Sequence, residues 1–170
     1  MSVNRQLPHL LILPEDDANR QIAKAFELKL KTYGYANQVQ VLPEVGGWGK
    51  VVEKFMEVYI SKMRRSQHSI MVLLIDFDDK NLDCLGYKNR LDFIQDKVPD
   101  DLKERVFVLG SRIAPEQLKK DMNKSFEKIG KSLAKDCEEN TNTTWGHHLL
   151  QHNENELKRI RFSVKSFLFI

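Results

Sequence analysis

The chain has 170 residues, 41% hydrophobic and 30% charged, with 27 Lys and Arg against 24 Asp and Glu for a net charge of +3. That length suits one domain with a substantial core, and the charge balance is too even for an overall electrostatic case for nucleic acid, so any basic surface has to be local. No apolar run approaches the roughly 20 residues needed to cross a bilayer. Cys84 and Cys137 have no metal-type spacing and no secretory signal ahead of them, so the expectation is a cytoplasmic, non-membrane protein with free thiols.

His9-Leu10-Leu11-Ile12-Leu13, stopped by Pro14, reads as a buried strand, and Glu15, Asp16 and Asp17 follow it at once. From Ala18 to Tyr33 the apolar positions approximate helical spacing, with Asp16 or Asp17 as the N-cap and Gly34 as the stop. Gln38 to Leu42 alternates as a strand should. Between it and a helix predicted over roughly 51–63 lies Gly46-Gly47-Trp48-Gly49-Lys50. Such a loop can offer N–H groups and a cation to a phosphate, although it lacks Walker A spacing and any Ser or Thr after Lys50. Its glycines can equally serve to let Trp48 and the backbone approach the sheet.

Ile70 to Ile75 is an unbroken apolar run, the signature of a strand buried on both faces, and Asp76, Asp78 and Asp79 stand at its exit. With Phe77 between them, Asp76 and Asp78 point the same way if the strand is just ending, which suits a hard cation such as Mg²⁺. The alternative is a polar turn after a core strand. A helix is predicted around Lys88 to Gln95, with Arg90 facing either the carboxylates or solvent. Arg105 to Leu109 is a fourth strand, ended by Gly110-Ser111-Arg112. Pro115 opens a helix to about Met122, and another runs from Ser125 to about Cys137.

Glu138 to Thr144 reads as a polar loop, Trp145 to His152 as helical, and Phe162 to Ile170 as a final strand. His148 and His152 would share a helical face, as a zinc pair can, but no glutamate lies between them in the zinc-protease pattern. Partly buried or surface histidines are the favoured reading.

Strands alternating with helices predict a Rossmann-like three-layer α/β sandwich with a mainly parallel central sheet, plus a C-terminal helical segment and the final strand. One domain is expected over 1–170, with a core over about 8–112 and an extension over about 113–170. In such folds ligands bind at the carboxyl ends of the strands. That rule places Glu15, the Gly46 loop, Asp76 to Asp79 and Ser111-Arg112 on one rim.

Strand, Glu15, helix, strand, helix, strand, Asp76-x-Asp78 is the order in which this chain resembles a Toprim domain, the module of topoisomerases, bacterial primases and overcoming-lysogenization-defect nucleases. The resemblance covers about the first 110 residues. It implies that Asp76 and Asp78 ligate Mg²⁺ or Mn²⁺, with Asp79 and Asp16 as supporting groups, and that Glu15 acts as general acid or base or as a further ligand. It implies Lys50, Arg90 and Arg112 as holders of the scissile phosphate, nucleic acid as a partner, and an ATPase as a protein partner. A second resemblance is to a response-regulator receiver, carried by Leu11 to Arg20 and by Gly34-Tyr35. It implies Asp76 as a phosphoacceptor beside the acidic pair Asp16 and Asp17, but no later strand ends in lysine. A non-catalytic interaction module on the same fold is the third expectation.

Overall fold

Residues 4–82 and 85–169 are described by a computed structural model, so Cys84 lies outside the described residues. Four short strands, β1 (His9–Pro14), β2 (Val39–Val41), β3 (Ser69–Leu74) and β4 (Val106–Leu109), form one parallel sheet in the order β2-β1-β3-β4. Each pair is parallel, with Leu10 opposite both Val39 and Ile70, and Val72 opposite Phe107. The apolar runs extend on both faces because helices cover both. Met71, Leu73, Val106 and Val108 face one cluster; Ile70, Val72, Phe107 and Leu109 face the other.

The first face is covered by α2 (Trp48–Lys54), a π-helical turn (Phe55–Tyr59) and α3 (Ile60–Arg65), which together replace the single helix expected over 51–63, and by α4 (Leu85–Lys97). Phe55, Met63, Ile94 and Leu102 are buried against it. The second face carries α1 (Asp17–Thr32), α6 (Phe126–Glu139) and α7 (Glu154–Val164), while α5 (Pro115–Met122) leads from β4 into α6. The boundaries of α1, α5 and α6 follow their punctuation. Asp16 caps α1 by accepting from the Asn19 N–H, Pro115 opens α5, and Ser125 caps α6. At the end of α1, Gly34 adopts φ +95° and its N–H bonds the Lys31 carbonyl.

Two expectations for the C-terminal region are corrected. Phe162 to Val164 belongs to α7, and Phe167 and Leu168 enter the core from turns rather than from a final strand. The outer edge of β4 is instead closed by side chains. Glu156 accepts the Val108 N–H at 2.9 Å, and Asn153 both accepts the Gly110 N–H at 3.1 Å and donates to the Gly110 carbonyl at 2.9 Å. Both residues are buried, so the Val108 N–H and both backbone groups of Gly110, which a fifth strand could satisfy, are already paired. Trp145 to His152, expected as a helix, form successive turns over 145–150 and then enter a 3₁₀ turn at Gln151–Asn153. Buried Asp136 holds them to α6 by accepting from Thr144 N–H at 2.6 Å, Trp145 N–H at 3.0 Å and Thr141 Oγ1 at 2.7 Å.

Helix α6 approaches α1 so closely that a Cβ on Gly130 would lie 2.2 Å from the Ile22 carbonyl oxygen. Gly49, inside α2, has nothing within 4 Å of its missing Cβ. Gly130→Ala is expected to destabilise the fold by about 2 kcal/mol through overpacking. Gly49→Ala, by contrast, should stabilise it by about 0.5 kcal/mol by restricting the unfolded chain. Paired urea denaturation curves of the two variants measure both.

Candidate functional site

Strand β1 continues through α1 to β2 on one side, and β3 continues through α4 to β4 on the other, so the sheet reverses its winding between β1 and β3. Glu15 and Asp76 leave the sheet at that point. The chain stays extended past β3. Ile75 N–H bonds the Leu109 carbonyl at 2.9 Å, Phe77 N–H that of Ser111 at 3.0 Å, and Asp79 N–H that of Arg112 at 2.7 Å. Ile75, Phe77 and Asp79 therefore turn inward and are buried, whereas Asp76 is half-buried and Asp78 exposed. Asp78 takes φ +50°, which ends the extended run.

Glu15 joins the two central strands. Its Oε2 accepts the Asp76 N–H at 2.7 Å, and its own N–H bonds the Leu74 carbonyl at 2.9 Å. Its carbonyl accepts the N–H groups of Gly46 at 2.8 Å and Gly47 at 3.3 Å. Those glycines, at φ +87° and +150°, thus turn the chain back onto Glu15. Their amides are not aimed at a ligand, which corrects the phosphate-cradle reading of this loop. Lys50 is exposed beside it, its Nζ 3.9 Å from where a Cβ on Gly46 would stand.

Asn19 was not singled out from the sequence, yet its side chain bridges two carboxylates. Its Nδ2 donates to Asp16 Oδ1 at 3.1 Å and to Asp76 Oδ1 at 3.0 Å, and it is 3% exposed. The available signal was its offset of three from the N-cap, a position whose side chain commonly turns back to the cap. Asp16 is therefore in place as the cap of α1, next to the cluster. Arg90 reaches it from α4: Nη1 donates to the Asp76 carbonyl, Nη2 lies 3.4 Å from Asp78, and the guanidinium stacks over Trp48 at 4.7 Å. This is the orientation toward the carboxylates rather than the solvated one.

Two predicted site residues have another role. Asp79 and Arg112 form a buried pair, with Arg112 Nη2 and Nε donating to Asp79 Oδ2 at 2.6 and 3.0 Å. Their side chains are 1% and 10% exposed. Arg112 is thus committed to Asp79 rather than presented to a phosphate, and Asp79, which follows the positive-φ Asp78, is held inward by that pair. His152 likewise points inward, packed edge-on against Phe77 and Tyr87, where burial pushes its imidazole down to about 4. It makes no pair with His148.

Burial drives the Asp76 carboxyl up from 3.8 to about 7, against the Asn19 hydrogen bond, with Glu15, Asp16 and Glu116 adding repulsion. Glu15 is also raised, first by burial and then by Asp16, while the Asp76 N–H and Arg90 oppose the shift. Among the described residues, Glu15, Asp16, Asp76 and Asp78 do not bring three ligand oxygens mutually within 4.8 Å. The Glu15 and Asp76 pair is nevertheless an oxygen-donor set of the size Mg²⁺ uses, which is one or two carboxylates completed by water and substrate. Two partly desolvated carboxylates held together are the environment a divalent cation relieves.

No protein-family model, curated protein or solved structure matches this chain.

Asp76 keeps its proton to about pH 7 when folded but loses it near 3.8 when unfolded, so its contribution to stability is complete below about pH 4 and is lost as pH rises to about 7. Asp76→Asn removes that slope. Without divalent cations it is expected to exceed the wild type by at least about 1 kcal/mol at pH 8, with the gap shrinking toward pH 4 in chemical denaturation. Arg112→Ala leaves Asp79 charged and buried and should cost about 3–5 kcal/mol, whereas Asp79→Leu with Arg112→Met recovers most of the loss. Thermal unfolding of the single and double variants provides the comparison.

Proposed function

We propose that this chain is a Toprim-like, divalent-metal-dependent domain acting on nucleic-acid phosphodiesters, as a nuclease or strand-transfer module. One observation carries the reading. Glu15 and Asp76 meet at the reversal point of a parallel sheet, linked by the Asp76 N–H to Glu15 Oε2 bond, and both have raised proton affinity. Perturbed carboxylates at that position are the usual mark of a working site in this architecture.

Glu15 and Asp76, with Asp78 at the rim, are the residues that would hold Mg²⁺ or Mn²⁺. When bound, such an ion neutralises phosphate charge and orients the attacking or leaving oxygen. As the alternative to ligating the ion, Glu15, whose carboxyl burial raises above its usual range, would exchange a proton with the reacting oxygen. Asn19 fixes the rotamer of Asp76, and Asp16 fixes Asn19. Arg90, stacked on Trp48 and anchored to the Asp76 carbonyl, offers its remaining donors to a phosphate oxygen, and exposed Lys50 supplies a second cation on the same rim. The receiver reading has less to rest on. No strand follows β4 among the described residues, and the edge it would use is occupied by Asn153 and Glu156.

Mn²⁺ is expected to bind at millimolar concentration or tighter by calorimetry, and to support nicking of supercoiled plasmid. Glu15→Gln with Asp76→Asn should weaken binding at least about tenfold and abolish nicking. Unchanged Mn²⁺ affinity in that double variant would sink the proposal. An acetyl-phosphate adduct on Asp76 in intact-mass spectra would replace it with the receiver reading.

A further inference from the structure

Outside the carboxylate rim, the described residues contain one cluster of mixed metal-ligating groups. Asp121 on α5 and His147 and His148 in the turns after α6 each offer a ligand atom, all within 4.8 Å of one another. His148 Nε2 already lies 3.6 Å from Asp121 Oδ2, close to the edge of about 3.3 Å that a tetrahedron with bonds of about 2.0–2.1 Å requires. The two imidazoles lie side by side, 4.4 Å between centroids.

The supporting groups are in place around this cluster. Asp121 Oδ1 accepts from Gln117 Nε2 at 2.6 Å, one helical turn back, which turns Oδ2 toward His148. The histidine turn is rigid on both sides. His147 N–H bonds the Thr144 carbonyl, and Leu150 N–H bonds the His147 carbonyl. Leu149 and Leu150 are buried in the core between α1, α5 and α6, and the Leu149 carbonyl accepts the Arg112 N–H at 3.0 Å. Asp121 and His148 are exposed, so an ion can enter and retain water.

We propose that Asp121, His147 and His148 bind one divalent transition-metal ion of the Zn²⁺ class, fastening the end of α5 to the turn that precedes α7. Two imidazoles and one carboxylate form a donor set for Zn²⁺ rather than for Mg²⁺ or Ca²⁺, and three protein ligands leave a fourth position for water. His147 Nδ1 accepts the Leu149 N–H at 3.2 Å. Coordination through Nε2 moves the ring proton to Nδ1, and coordination through Nδ1 displaces the amide, so either way the Leu149 bond is exchanged for a metal bond. The site is independent of the Glu15 and Asp76 rim and of its proposed chemistry.

Titration of the full chain with ZnCl₂ alone, followed by calorimetry, should show one ion bound at micromolar concentration or tighter, and Co²⁺ should give the visible absorption of a low-coordinate site. His148→Gln and Asp121→Asn are each expected to weaken Zn²⁺ at least about tenfold with unchanged circular dichroism, both substitutions being near-isosteric and outside the core. Zn²⁺ should also speed hydrogen exchange at the Leu149 amide. Asp76→Asn should leave Zn²⁺ affinity unchanged, so failure here and failure of the rim are read separately. No Zn²⁺ uptake by the wild type, or full affinity in the double variant His148→Gln with Asp121→Asn, overturns the proposal.

Discussion

The bond from the Asp76 N–H to the Glu15 carboxylate extends the pairing of β1 and β3 beyond the last backbone rung, and most of the rim is arranged around it. Glu15 cannot swing away without releasing Asp76, and its carbonyl also holds the Gly46-Gly47 turn that starts α2. Asp76 in turn is held by Asn19, and Asn19 by the cap of α1. Three helices and two strands therefore converge on two carboxylates. Burial opposes ionisation of Asp76 more strongly than the Asn19 hydrogen bond favours it, and burial raises Glu15 in the same direction. The site is built in a state that favours taking up a proton.

Asp76 and Asp79 show how closely spaced residues of one type acquire opposite chemistry. Both follow the same core strand, three positions apart. The alternation of the extended chain through Phe77 turns Asp76 to the rim, and after the positive-φ Asp78 the chain brings Asp79 inward, where Arg112 neutralises it. Asp79 becomes part of the framework, tying the exit of β3 to the exit of β4. Asp76 keeps neighbours of its own sign and stays open to exchange. Arg90 sits between the two regimes, because its stacking on Trp48 fixes a cation beside the carboxylates without forming a closed pair with Asp76.

The sequence disclosed what local chemistry decides. Apolar runs located β1, β3 and β4, alternation located β2, the cap of α1 lay between Asp16 and Asp17, Pro115 opened α5, and α6 was expected to begin at Ser125. What it did not disclose depends on partners far away in the chain. The Gly46 loop stays open between packing and a ligand cradle until Glu15 takes its amides. Arg112 reads as a phosphate holder until Asp79 claims it. Phe167 and Leu168 read as a strand because a short apolar run looks the same whether it pairs or simply fills a core. Asn19 was passed over because a polar residue in the first turn of a helix has a sufficient local explanation as part of a cap.

The way Asn153 and Glu156 finish β4 bears on how this protein can associate. A parallel sheet usually stops growing because another strand or a loop lies along its margin; here two side chains from the start of α7 imitate the missing strand, and Arg159 of the same helix bonds Glu156 and stacks on Phe107. A strand arriving from another molecule would have to unseat α7 before it found a free amide at Val108 or Gly110. Recruitment by strand addition is therefore closed on that margin, and at the opposite one β2 offers only the short span Val39–Val41.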